Sequence, residues 1–218
     1  MKAVLFDVDG TLVDSNYFHV LAWWQAFTEN GHEVTMIALH RLIGQGSDRL
    51  VESVIGKPDS DVVEAHSAQW SEWIDRTPSL PGATDLLRRT KSAGLDVVLA
   101  TSASSDELQT LRQAIAADDV IDHATSKDDA EESKPDPSIV QAALSAGGYD
   151  PADTVLVGDT VWDVEAAKRA GVPTVVTVLT GGISEAELRD AGAAEVYRDP
   201  AELAARFDDS ALGALARR

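Results

Sequence analysis

The chain has 218 residues, 44% hydrophobic and 25% charged, and its 37 Asp and Glu against 18 Lys and Arg give a formal net charge of −19. Such a surface disfavours nucleic acid and anionic membranes, whose phosphates require a basic patch, and the absence of cysteine excludes disulfides, thiolate metal sites and thiol catalysis. No run of about 18 apolar residues occurs and the N-terminus enters a short strand at once, so a cytoplasmic protein with no membrane partner is expected.

Ala3 to Phe6 is an apolar run of strand length that stops at Asp7-Val8-Asp9-Gly10-Thr11. A buried parallel strand ending in carboxylates delivers them to the carboxyl edge of a sheet, where open α/β proteins bind ligands. Asp7 and Asp9 point the same way if the strand continues. Like charges held that close need a cation or a retained proton. Gly10 permits a sharp exit. Asp14 or Ser15 then reads as a helix cap, and Asn16 to Asn30 carries Phe18, Leu21, Ala22 and Phe27 at helical spacing. Ile37 to Ile43, Asp48 to Ile55 and Asp61 to Ile74 predict three more helices. Pro78 and Pro81-Gly82 punctuate the end of this wholly helical block.

Alternation follows. Thr84 to Ala93 predicts a helix and Leu95 to Ala100 a strand ending in Thr101-Ser102. Ser105 to Ala116 predicts a helix, and Val120 to His123 a short strand. An acidic loop, Lys127 to Ser133, leads to Lys134-Pro135 and a helix over Pro137 to Ala146. Thr154 to Asp159 is a strand running into a carboxylate, with a helix over Val164 to Ala170. A strand at Thr174 to Leu179, helices at Glu185 to Ala191 and Pro200 to Ala205, and a weak strand at Glu195 to Tyr197 complete the pattern. Strands alternating with helices imply an α/β fold with a doubly wound parallel sheet. The expected organisation is a core of residues 1–14 and 79–218 with a helical cap inserted at 15–78.

Three strands therefore end in reactive polar residues, Asp7 with Asp9, Thr101 with Ser102, and Asp159, and Lys134 lies between the last two. In a parallel sheet those ends share one edge. Asp7-Val8-Asp9-Gly10-Thr11, Thr101, Lys134-Pro135 and Gly158-Asp159-Thr160-Val161-Trp162-Asp163 resemble the four motifs of the haloacid dehalogenase superfamily. The helical insert resembles its C1 cap, as in phosphoglycolate phosphatases and β-phosphoglucomutases. The resemblance covers nearly the whole chain.

The resemblance implies a phosphatase of small phosphorylated metabolites. Its dehalogenases lack the second aspartate, so Asp9 argues against C–halogen cleavage: an alkoxide leaving group needs a proton donor and a halide does not. Asp7 is implied as nucleophile and Asp9 as proton donor and acceptor. Mg²⁺ is implied on Asp7, the Asp9 backbone carbonyl and Asp159, with Asp163 behind the metal or Lys134. Gly10, Thr101, Ser102 and Ala103 are implied to hold the phosphoryl group, and Lys134 to neutralise charge.

Substrate choice is expected on the cap. His19 and Trp23 lie four apart and share a helix face. Most of the cap tryptophans are expected to pack its core. Arg41 or Arg49, flanking Gly44-Gln45-Gly46, could grip a carboxylate or second phosphate. The rival readings are a β-phosphoglucomutase-like sugar-phosphate mutase and a non-catalytic phospho-acceptor module. Two departures weaken the mutase reading: the offset of the loop arginine from its glycine, and Gly158 where such mutases often carry an acid. A monomer or weak homodimer is expected.

Overall fold

The computed structural model describes residues 1–218. In chain order the elements are β1 (Ala3–Phe6), α1 (Asn16–Glu29), α2 (Met36–His40), α3 (Ser47–Ile55), α4 (Ser60–Ser71), α5 (Ala83–Ser92), β2 (Asp96–Ala100), α6 (Ser105–Ile115), β3 (His123–Thr125), α7 (Ser138–Gly147), β4 (Thr154–Gly158), α8 (Val161–Arg169), β5 (Thr174–Val178), α9 (Glu185–Ala191), β6 (Glu195–Tyr197), α10 (Pro200–Ala205) and α11 (Ala211–Arg217). The strands form one parallel sheet in the order β3-β2-β1-β4-β5-β6. No helix is long and apolar enough to cross a membrane.

β1 is central, and its side chains alternate between two cores. Val4 and Phe6 face one layer with Leu86 and Leu87 of α5, Leu108 and Leu111 of α6, Leu203 of α10 and Leu212 of α11. Ala3 and Leu5 face the other with Ile139 and Val140 of α7, Val164 and Ala167 of α8 and Leu188 of α9. Burial on both faces is why the strands read as continuous apolar runs. Each fully buried large side chain such as Phe6 contributes roughly 1.5–3 kcal/mol.

The order of strands reverses beside β1, between β2 on one side and β4 on the other. Phe6 pairs with Leu99 and with Val157, and the Asp7 amide donates to the Val157 carbonyl at 2.9 Å. This register brings the residues following β1, β2 and β4 to the same edge. Such a switch point is where an open α/β sheet has room for a ligand.

Helices α1 to α4 leave the sheet directly after β1 and bury a separate cluster, including Val20, Phe27, Leu39, Leu50, Val51 and Val62. The chain leaves and returns through adjacent segments. The Asp14 amide donates to the Pro78 carbonyl at 2.9 Å and the Leu80 amide to the Leu12 carbonyl at 2.8 Å. Trp70, buried, joins the sheet-side core rather than this cluster, and Trp24 is partly exposed.

Local differences from expectation have local causes. The third strand starts at His123, not Val120, because Asp118–Val120 forms a 3₁₀ turn. Asp122 is diverted: its carboxylate accepts from the Val97 amide at 2.9 Å and from Lys91 at 2.6 Å. α2 ends at His40, short of Ile43, as the chain tightens toward Gly44 at φ +95°. α11 was not expected. Its cap is Ser210, whose hydroxyl accepts from the Leu212 and Gly213 amides, and it buries Leu212 and Leu215.

Candidate active site

The site begins with the turn after β1. Gly10 adopts φ +76°, and a β-carbon there would run into the Asp159 carboxylate and Asn16. Only glycine fits both demands. The turn aims two carboxylates in different directions. Asp7 Oδ1 accepts from Lys134 Nζ at 2.6 Å. Asp9 Oδ1 accepts from Ser15 Oγ at 2.6 Å and lies 3.4 Å from His19 Nε2, while its other oxygen lies 3.4 Å from Thr101 Oγ1. Ser15, read from the sequence as a possible helix cap, makes no side-chain cap bond to α1 and serves Asp9 instead.

β4 supplies the opposite wall. Thr160, not Asp159, caps α8: its hydroxyl accepts from the Asp163 amide, and the Asp163 carboxylate accepts from the Thr160 amide and hydroxyl. Asp159 is thereby left to the site. It accepts from Thr11 Oγ1 at 2.9 Å and Asn16 Nδ2 at 3.0 Å. Asp163 also accepts from Lys134 Nζ at 2.7 Å. A β-carbon on Gly158 would meet the Asp163 carboxyl at 2.6 Å, so the missing side chain makes room for this arrangement.

The electrostatics follow from burial. Asp7, Asp159 and Asp163 are all buried, and their ligand oxygens lie within 4.8 Å of one another. Lys134, 2% exposed, is the ammonium among them. Its burial is outweighed by Asp163 and Asp7, which push its pKa up and keep it charged. Burial pushes Asp7 up to about 7, because the relief from Lys134 is opposed by Asp163 and Asp9. Burial, then Asp163 and Asp7, push Asp159 well above the usual carboxylate range. Asp9 differs. Burial would raise it, but the His19 hydrogen bond and charge, with Ser15, hold it below its ordinary value.

Asp7, Asp9, Thr101, Ser102, Ala103 and His19 line one cleft that opens to solvent. Ser102 and Ala103 lead into α6, whose first turn is closed by a reciprocal Ser104–Glu107 capping box. The helical segment forms the other wall with Trp23, Gln45, His66 and Ser67. Arg49 does not line this cleft; it pairs with Glu132 at 3.2 Å. Arg41 pairs with Glu187 on the outer surface. Lys134 sits beneath the cleft floor, bound to Asp7.

Sequence reasoning gave no site role to Asn16, Ser15 or His66 and took Thr11 only as part of the first motif. Thr11 and Ser15 flank the Asp-x-Asp motif, and Asn16 opens α1, so proximity to the motif was their only signal. His66 had none. Its imidazole stacks on Trp23 with ring centroids 3.7 Å apart, and its Nε2 lies 3.3 Å from His19 Nδ1. Burial, then the charges of His19 and Lys127, hold His66 well below its ordinary value of 6.5.

That shift has a thermodynamic consequence. Between the depressed folded value and 6.5 the unfolded chain binds more protons, so stability is kept above this window and falls as pH drops through it. His66→Gln is expected to lose less unfolding free energy than the parent between about pH 7.5 and about pH 5.5. Urea titrations at the two pH values measure this. Identical losses in both proteins would remove His66 as a source of acid sensitivity.

Fold and site together define a class: an α/β protein with buried acids gathered at the switch point of a parallel sheet. The chain belongs to the haloacid dehalogenase-like hydrolases, whose family model matches residues 1–171. It is 29% identical over 216 residues to a phosphoglycolate phosphatase of Rhodospirillum rubrum, covering 93% of this chain and 89% of that one. A hydrolase from Pseudomonas syringae superimposes with a TM-score of 0.89 at 31% identity, over 95% of this chain and 98% of the other. A putative β-phosphoglucomutase from Bacteroides vulgatus shares the fold, with a TM-score of 0.89 at 21% identity, over 100% and 91% of the two chains.

Proposed function

We propose that this enzyme hydrolyses a small phosphate monoester, with Asp7 as nucleophile. An Asp7 oxygen attacks phosphorus, the P–O bond to the alcohol breaks, and Asp9, ionised in the free site and protonated once the anionic phosphate raises its pKa, gives the departing oxygen a proton. Water then attacks the phosphorus of the aspartyl-phosphate, Asp9 takes its proton, and inorganic phosphate leaves with Asp7 restored. Thr101, Ser102, Ala103 and Gly10 hold the phosphoryl oxygens at the N-terminus of α6. Lys134 offsets charge on Asp7 and the incoming phosphate. His19 orients Asp9 through their 3.4 Å contact.

The observation that carries the reading is the charge balance at the sheet edge. Three buried carboxylates, Asp7, Asp159 and Asp163, face one buried ammonium, Lys134. Two positive charges are missing, as many as a divalent cation supplies. The donors are hard oxygens, which suits Mg²⁺. Asp159 is the natural anchor, because it meets neutral donors only. Asp163 is saturated by Lys134, Thr160 and the Asp159 amide and orients rather than ligates. Asp7 and the Asp9 backbone carbonyl complete the protein's share. When bound, the ion supplies Lewis-acid stabilisation of the phosphoryl oxygens.

Residues 15–78 act in this reading as a cap over a core of 1–14 and 79–218. Support comes from their separate apolar cluster, the paired connections at Asp14–Pro78 and Leu12–Leu80, and the cleft that His19, Trp23, Gln45 and His66 share with Asp7 and Asp9. Closure over the substrate excludes bulk water while Asp9 moves its proton.

A phosphate-release screen over small phosphorylated metabolites and p-nitrophenyl phosphate tests the reading. Release is expected with Mg²⁺, lost with EDTA and restored by excess Mg²⁺. No phosphate from any ester, under Mg²⁺, Mn²⁺ or Co²⁺, would end it.

A further inference from the structure

The cleft carries a cation that the phosphoryl chemistry leaves unused. Lys127 lies on the turn after β3 and lines the same cleft as Asp7 and Asp9. It is the one lysine or arginine along that lining. Lys134 is committed to Asp7 and Asp163. Arg41 and Arg49, the arginines the sequence offers for a second anionic group, lie outside that lining and pair with Glu187 and Glu132.

Lys127 has no carboxylate within 4.0 Å, in a chain with a net charge of −19. Asp128 and Asp129, the acids that follow it in the chain, are held by other donors. Asp128 accepts from the Ser105 amide at 2.9 Å, and Asp129 from the Ser126 amide at 2.9 Å and hydroxyl at 3.1 Å. Glu107, the one glutamate along the cleft lining, accepts from the Ser104 amide and hydroxyl, each at 2.6 Å. The Lys127 charge is felt by Asp128, but no carboxylate closes a salt bridge on its ammonium.

The position is also fixed relative to the reacting end. The Lys127 amide donates to the Ala103 carbonyl at 2.9 Å, tying its turn to the segment that follows Thr101. The charge is felt by His66 on the opposite wall. Lys127 therefore acts on the part of the cleft that His66 lines. His66, Ser67 and Gln45 add neutral polar groups there.

We propose that the substrate carries a second anionic group, a carboxylate or another phosphate, and that Lys127 selects it. This rests on the phosphatase reading and deepens it to a substrate class. A charge-assisted contact to a partly shielded anion is worth about 10–100-fold in affinity.

Three size-matched esters test it, with Mg²⁺ present: 2-phosphoglycolate, ethylene glycol bisphosphate and the neutral-tailed 2-hydroxyethyl phosphate. The parent enzyme is expected to favour one of the anionic tails in kcat/KM. Lys127→Met should reduce that preference about 10–100-fold, chiefly through KM, and Lys127→Arg should keep most of it. Which tail suffers more identifies carboxylate or phosphate as the recognised group. Equal losses on all three esters would put Lys127 on the transferring phosphoryl and overturn the proposal, as would a parent enzyme with no preference. Calorimetric titration of Asp7→Asn, with and without Lys127→Met, reads the same selectivity as binding. Absent turnover would then count against the phosphatase reading, while the binding ratios still decide the role of Lys127.

Discussion

Asp7→Asn is expected to lower kcat by about 10⁴-fold or more while leaving the protein folded. The amide keeps the shape of the side chain but cannot carry the phosphoryl group. The same change should not destabilise the protein, and this second half is the sharper test. The folded-state pKa of Asp7 is raised to about 7 from 3.8, chiefly by burial. A raised carboxylate means that the unfolded chain ionises more readily, so keeping Asp7 charged costs stability as pH rises through that window, with the full cost present above it. Asn removes the charge and that cost. Without metal, at about pH 7.5, urea unfolding should show Asp7→Asn at least as stable as the parent, with the difference closing below about pH 4. Turnover near the parent value would remove Asp7 as nucleophile. A large loss of stability would mean that the buried charge is better compensated than the three-to-one balance of acids and lysine indicates.

Lys134→Met is expected to be damaging in both respects. Lys134 is 2% exposed and bridges Asp7 at 2.6 Å and Asp163 at 2.7 Å. Removing one partner of a buried ion pair strands the others, at a cost of about 3–5 kcal/mol. Catalysis should fall about 10²–10³-fold, the usual effect of losing one preorganised charge at a reacting centre. Two further measurements separate charge from packing. Excess Mg²⁺ should recover part of the lost stability, since a cation can replace the missing charge. Asp163→Asn added to Lys134→Met should also recover part of it, by removing one stranded carboxylate. A loss below about 1 kcal/mol, with kcat within tenfold of the parent, would show that the lysine is not needed where it lies.

The sequence alone determined what depends on neighbours along the chain. The apolar run Ala3 to Phe6 stopping at Asp7, and Thr154 to Val157 stopping before Asp159, announce buried strands with carboxylates at their ends. Their alternation with helices requires a parallel sheet, and a parallel sheet sends those ends to one edge. Strand length, period and turn chemistry are short-range signals, so the fold class and the acids at the sheet edge were legible. Their limits were short-range too. Asp122 left β3 because of partners on other elements, Lys91 and the Val97 amide.

Tertiary structure alone decided which side chains meet. Asn16 reaches Asp159 across 143 positions and His19 reaches His66 across 47. No periodicity encodes such a pairing, because it depends on how one helix is rotated against another or against a strand end. The same physics redirected the cations. Arg49 looked suited to a substrate anion from its place beside a glycine loop, yet α3 turns it to Glu132. Lys127 opens an acidic loop in the sequence, yet Asp128 and Asp129 are held by donors around α6 and their own turn, and Lys127 lines the cleft with no carboxylate paired to it. Charge in a sequence fixes how many ions there are; packing fixes which of them remain unpaired.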